Sequence, residues 1–218
     1  MENPGSTSSA LADVDNDGDL DLFFANGHLN SVSGANRQAN LLFENDGDGR
    51  FSDISDKSGV LSTGKRIHRS AIFADYDDDG RVDIFVTVNG QQVEDGKGNN
   101  VFDPNQGKGI LFHNDTKNNN NWLKVRLEGT KSNRDGLGSK VKIKSGAFTD
   151  EKALVSGEGY FSSSAKEIYF GLGETTSIDK LTVLWPSGHD DIFENIKANQ
   201  TVYIVEGKQL YQDTLRSP

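Results

Sequence analysis

The chain has 218 residues, 33% hydrophobic and 26% charged, with a net charge of −10 and no cysteine. That is enough chain for one large or two small domains with a real core, and it excludes a disulfide scaffold, thiol catalysis and cysteine-bound zinc. The negative excess is confined to the first part: residues 1–118 carry 20 Asp and Glu against 10 Lys and Arg, whereas residues 119–218 carry 13 of each. An acidic half repels a phosphate backbone and attracts cations, so nucleic acid is not an expected partner.

The opening "MENPGSTSSA" has neither a basic stretch nor an apolar one, so no signal peptide is expected in this chain. No apolar run approaches the roughly 20 residues of a membrane helix, and no membrane insertion is expected. Short apolar runs at Ala10–Ala12 and Ala71–Ala74 each read as a strand entering an acidic loop, "DVDNDGDLD" (13–21) and "DYDDDGRVD" (75–83). "LDLFFANG" and "VDIFVTVNG" leave those loops, rich in β-branched and aromatic residues. "NLLFE" and "GILFH" follow as third strands, and "RFSDIS" (50–55) closes the first unit after the turn "NDGDG" (45–49). The two stretches therefore repeat, with an offset of 62 at the loops and 69 at the third strands. The extra length falls in a polar Gly/Asn-rich loop at 91–108. Four strands per unit is the pattern of a propeller blade.

"TKNNNN" (116–121) marks a boundary. Beyond it "WLKVRLEGT" (122–130), "KVKIKSG" (140–146), "KLTVLWPSG" (180–188) and "TVYIVEG" (201–207) alternate apolar and polar residues. Short alternating strands between Gly-rich turns predict a β-sandwich. No segment carries helical periodicity. The expected fold is all-β: two blade-like repeats (about 7–56 and 68–118, within 1–118), a sandwich-like domain over 119–208, and a tail over 209–218.

Five carboxylates at alternate positions repel one another unless something gathers them. Ca²⁺ takes about 6–8 oxygens at about 2.3–2.6 Å, and the D-x-D-x-D-G-x-x-D spacing presents them. Asp13, Asp15 and Asp17, and likewise Asp75, Asp77 and Asp79, occupy positions 1, 3 and 5. Gly18 and Gly80 at position 6 permit a tight curl. Asp19 and Arg81 at position 7 can offer a backbone carbonyl, and Asp21 and Asp83 at position 9 supply a further carboxylate. Two Ca²⁺ sites are expected, with a solvated acidic turn as the plain alternative. The loops are not EF-hands, because position 12 is Phe24 or Val86 where that motif needs Glu.

These loops resemble FG-GAP/VCBS-type repeats, the calcium-loop blades also seen in integrin α-chain propellers. The second half is similar to the ASPIC/UnbV domain of the cartilage acidic protein-like family, through "NNWLKVRLEGTKSNRDGLGSKV" (120–141), "VSGEGYFSSS" (155–164), "YFGLG" (169–173), "LTVLWPSG" (181–188) and "ANQTVYIVEG" (198–207). The resemblance implies an extracellular or secreted, calcium-binding module for adhesion or scaffolding, with a glycan or protein ligand and no defined reaction. Two blades cannot close a ring of about 4–8, so the chain is expected to be a fragment of a longer parent protein, or its blades to pack on the C-terminal domain.

Carboxylates in such number keep a polysaccharide lyase or glycosidase, or an accessory domain of one, open as the alternative, although side chains held by a metal make poor general acids. The scattered His28, His68, His113 and His189 form no metal-protease spacing. "NDGDG" (45–49) and "SNRDGLG" (132–138) read as turns before they read as ligand loops. Trp122 and Trp185, at the edges of alternating strands, read as packing residues before they read as sugar platforms.

Overall fold

The computed structural model describes residues 6–27, 37–94, 100–103, 107–157 and 159–212. Among the described residues the chain is all-β, as the alternation predicts, with one short 3-10 turn at Val60–Thr63. Strands β1 (Ser6–Ala12), β2 (Asp21–Asn26), β3 (Leu41–Asn45) and β4 (Phe51–Asp53) form an antiparallel sheet in that order. The "NDGDG" stretch is the β3–β4 hairpin turn: Asp46 Oδ1 accepts from the amides of Asp48 and Arg50, and Gly47 and Gly49 take positive φ.

The second unit pairs β5 (His68–Ala74), β6 (Asp83–Val88) and β9 (Ile110–Phe112). A hairpin of β7 (Gln91–Glu94) and β8 (Asn100–Asp103) is inserted before β9, inside the segment that the sequence reads as loop. This sheet has three strands where the first has four. After β9 the chain reads "NDTKN" in place of "NDGDG". It lacks the two glycines that turn the first unit back, and it runs on into the next domain.

That domain holds β10 (Asn121–Glu128), β11 (Lys140–Ser145), β12 (Phe148–Ala153), β13 (Ile168–Gly173), β14 (Ser177–Leu184), β15 (Asp190–Lys197), β16 (Gln200–Val205) and β17 (Leu210–Gln212). They form two four-stranded sheets, β13-β10-β16-β17 and β12-β11-β14-β15, with β10 and β16 parallel. Strand β17 lies within the segment the sequence leaves as a tail. Val141, Ile143, Leu181 and Val183 face inward between solvent-facing neighbours and meet Leu123, Val125, Phe170 and Val202 of the other sheet. Trp185 belongs to this core, and its indole N–H donates to Asp191 Oδ2 at 2.8 Å.

Strand β10 departs from simple alternation. Leu123, Lys124 and Val125 are all buried. One face of β10 closes the sandwich core and the other lies under the blades, so a position that looks solvent-facing in the sequence is an interior one.

Candidate metal loops

Each acidic loop joins the first two strands of a blade. In the first, Asn16 (φ 61°) and Gly18 (φ 104°) adopt left-handed backbone, which curls the chain around its own carboxylates. Asp13 Oδ2 accepts from Gly18 N at 3.0 Å, Asp15 Oδ1 from Asp17 N at 3.2 Å, and Asp17 Oδ1 from Asp19 N at 2.9 Å. One oxygen each of Asp13, Asp15 and Asp17 lie within 4.8 Å of one another, a spread that a cation with oxygens at about 2.3–2.6 Å can bridge.

The second oxygen of Asp13, Oδ1, is buried with no hydrogen-bond partner, and the residue is only 3% exposed. Burying a bare carboxylate oxygen is costly. Burial, and then the charges of Asp17 and Asp15, push the Asp13 carboxyl up to about 7, against the pull of Lys152. Burial and the charges of Asp17 and Asp21 push Asp15 up to about 6. A hard divalent cation removes both penalties, so the donor set fits Ca²⁺.

Asp19 and Asp21 stand apart from this trio. Asp19 lies against Gly47 of the β3–β4 turn. Asp21 is 2% exposed and accepts from Val14 N at 2.9 Å and Asn45 N at 3.0 Å. It ties the loop to β3.

The second loop repeats this frame. Asp78 (φ 59°) and Gly80 (φ 87°) stand where Asn16 and Gly18 do, and Asp75, Asp77 and Asp79 again bring oxygens within 4.8 Å. Asp83 repeats the role of Asp21, accepting from Tyr76 N at 3.1 Å and Asn114 N at 2.8 Å. It also gathers with Asp77 and His113, whose Nδ1 is 3.2 Å from Asp83 Oδ1. Arg81 lays its guanidinium on Asp79 and donates from Nε to Asn114 O at 2.8 Å.

Both loops dock on the sandwich, on adjacent strands. The first sits on β13, where Gly173 N donates to Asn16 O at 2.9 Å. A Cβ added at Gly171 would fall 1.9 Å from Asp13 Oδ2. The second sits on β10: Trp122 lies so close to Gly80 that an added Cβ would meet the ring at 1.9 Å. Lys124 Nζ reaches Asp75 Oδ2 at 2.7 Å and Asp78 Oδ1 at 2.6 Å, and Arg126 reaches Asp78 Oδ1 at 3.1 Å. Asn16 Nδ2 donates to Gly80 O at 3.1 Å, so the loops also touch each other.

Sequence reasoning missed Lys124, Arg126, Asp78, His113 and Trp122 as parts of this site. Asp78 was visible as the extra acid where the first loop has Asn16. The cations and Trp122 arrive from distant strands, and their local patterns look like ordinary alternation. Of the histidines, His68 is buried against Asn26 O and His189 pairs with Asp191, while His28 lies outside the described residues. A groove of about 530 Å³ runs between blades and sandwich, bordered by Asp13, Leu20, Phe73, Leu154, Glu167 and Tyr169.

Two family models match successive stretches of the chain. Residues 13–86 match the FG-GAP-like repeat model, which spans both loops, and residues 129–210 match the ASPIC and UnbV model. Cartilage acidic protein 1 of Homo sapiens is 29% identical over 215 residues, covering 95% of this chain and 29% of that protein. Cartilage acidic protein 1 of Mus musculus is 30% identical over 182 residues, covering 81% of this chain and 25% of that protein. The chain thus spans between a quarter and a third of the length of these relatives.

Proposed function

The chain carries an FG-GAP-like repeat followed by an ASPIC and UnbV segment, and from that premise we propose a non-enzymatic recognition module that works outside the cell with calcium in its acidic loops. The observation that carries this reading is the buried, unpartnered Asp13 Oδ1 beside Asp15 and Asp17. A cation there neutralises carboxylates that otherwise resist ionising, and it fixes the loop between β1 and β2. Calcium sites of extracellular modules work at about 10⁻⁴–10⁻³ M, where the ion is abundant outside cells and scarce inside. The ligand is a glycan or a protein. The groove between blades and sandwich suits it as a contact face, because Asp13 borders that groove and its loop is the element calcium would fix.

The test is retention of the chain on glycan and extracellular-protein arrays in millimolar Ca²⁺ and in EDTA, for the native chain and for Asp13→Asn. Saturable retention that needs Ca²⁺ and fails in Asp13→Asn is expected. Turnover of a polysaccharide panel would overturn the non-enzymatic reading. Retention indifferent to both EDTA and Asp13→Asn would overturn the role of calcium.

A further inference from the structure

The two loops share one frame and differ in what neutralises it. We propose that Lys124 of the sandwich is the built-in cation of the second loop, so that the chain binds one Ca²⁺, in the first loop, and not two. This rests on the calcium reading and narrows it to one blade.

Asp75 and Asp13 are the position-1 carboxylates of their loops. Asp13 has one oxygen bonded to Gly18 N and the other bare. Asp75 has none bare: Oδ1 accepts from Asp79 N at 3.0 Å, and Oδ2 accepts from Gly80 N at 3.1 Å and Lys124 Nζ at 2.7 Å. The Lys124 and Asp75 side chains are both fully buried. The ammonium is itself well satisfied, by Asp75, by Asp78, and by the Tyr169 ring, whose centroid is 6.0 Å away. To ligate a metal, Asp75 would have to strand a buried ammonium, and breaking a buried ion pair is far costlier than never having formed it.

Position 5 repeats the contrast. Both oxygens of Asp79 are engaged by Arg81, one by its backbone N–H at 2.9 Å and the other by its guanidinium. In the first loop, position 7 is Asp19, which adds negative charge where Arg81 cancels it. Asp75, Asp78 and Asp79 thus stand in direct ion pairs with Lys124, Arg126 and Arg81, while Asp77 and Asp83 lie 3.7 and 3.2 Å from His113 Nδ1. Among the described residues, none of the ion pairs involves Asp13, Asp15, Asp17, Asp19 or Asp21. Lys152, the positive charge that acts on Asp13, is bound to Tyr169 O at 2.8 Å and lies 3.6 Å from Asp150. The second loop is therefore a calcium-independent weld between blade and sandwich, and the first is the loop that answers to the ion.

The experiment is equilibrium dialysis of the intact chain against Ca²⁺ alone, up to about 10⁻³ M, with Asp13→Asn, Asp75→Asn and Lys124→Met alongside. One ion per native chain is expected. Asp13→Asn should weaken it at least tenfold, and Asp75→Asn should leave it within about threefold. Where Lys124→Met folds, it should take up a second ion. Where it does not fold, the native stoichiometry and the two Asp variants decide. Two ions per native chain in that range, or one ion lost in Asp75→Asn and kept in Asp13→Asn, would overturn the assignment while leaving the calcium reading intact. No ion on the folded native chain would overturn the calcium reading and the assignment together.

Discussion

The sandwich and the blades are held together by different means. Among the described residues, the sandwich core joins sixteen buried apolar residues, every one Val, Leu, Ile, Phe or Trp. The described part of the blade core joins twelve, four of which are the alanines Ala10, Ala12, Ala25 and Ala71. Burying a large aliphatic or aromatic side chain stabilises by about 1.5–3 kcal/mol, and alanine contributes much less. The blades also carry the whole negative excess of the chain. The half with the weaker apolar core is therefore the half whose stability depends on charge, and the sandwich should be indifferent to ions that the blades require.

The sharpest cut at this contrast is Phe170→Ala, which removes a ring with no exposure from the sandwich core. It should cost about 3–5 kcal/mol in urea unfolding, by the same amount in Ca²⁺ and in EDTA. A cost that grows in EDTA would show that the sandwich leans on the blades.

Calcium removal comes next. At a free concentration a hundredfold above its dissociation constant, a ligand bound only to the folded state stabilises by about 2.7 kcal/mol. EDTA should lower the melting temperature of the native chain, followed by circular dichroism, and should leave that of Asp13→Asn nearly unchanged.

The metal-free chain should also depend on pH in an unusual direction. Burial raises the native values of Asp13 and Asp15 from 3.8 to about 7 and about 6. Between about pH 4 and 7 the folded state then holds more protons than the unfolded one, so stability falls as pH rises across that window. In EDTA the chain should melt higher near about pH 5 than near about pH 8. Ca²⁺, which binds the ionised carboxylates, should remove that fall.

Much of this arrangement is legible in the sequence, and for a physical reason. Curling the chain around a cation needs carboxylates and a glycine at fixed local spacing, so Asp13, Asp15, Asp17 and Gly18 announce themselves, and so do the strands on either side. What neutralises a loop is not local. Lys124 is 49 residues from Asp75, inside an alternating strand that gives no sign of its second buried face. Glu206 is hidden in the same way. In sequence it follows an ordinary strand. In the fold it accepts from the amides of Thr130, Lys131 and Ser132 at 2.6–2.8 Å.

Glu206 gives a control on the ion-indifferent side of the comparison. Burial pushes its carboxyl up, but the Ser132 amide, the Ser187 hydroxyl and the amides of Lys131 and Thr130 outweigh it and hold the group well below the ordinary range. Its stabilising contribution is present above the unfolded value of about 4.5 and is lost as pH falls through the depressed native value. Glu206→Gln should cost about 2 kcal/mol at neutral pH, equally in Ca²⁺ and EDTA. The cost should shrink in acid.

The smallest effect probes the strap that joins the halves. Between β12 and β13 the chain crosses back to the blades, where Tyr160 N approaches Ser8 Oγ at 3.5 Å and Ala165 N donates to Phe73 O at 3.3 Å. Within it Phe161 is 93% exposed at φ 51°, a left-handed conformation that a bulky side chain adopts at a cost of about 1–2 kcal/mol. Its ring stands edge-on to Tyr160, with centroids 4.7 Å apart, and Tyr160 in turn lies under Arg69. Asn tolerates the left-handed region, so Phe161→Asn should stabilise the chain by about 0.5–1 kcal/mol once the lost ring contact is counted. Strain on an exposed aromatic has a use only if the ring touches something. If the variant is more stable but less well retained by the array ligand, Phe161 is part of the contact face, and the strap serves recognition as well as docking. If stability rises and retention is unchanged, the strain follows from spanning the two halves, and the ligand contacts lie elsewhere.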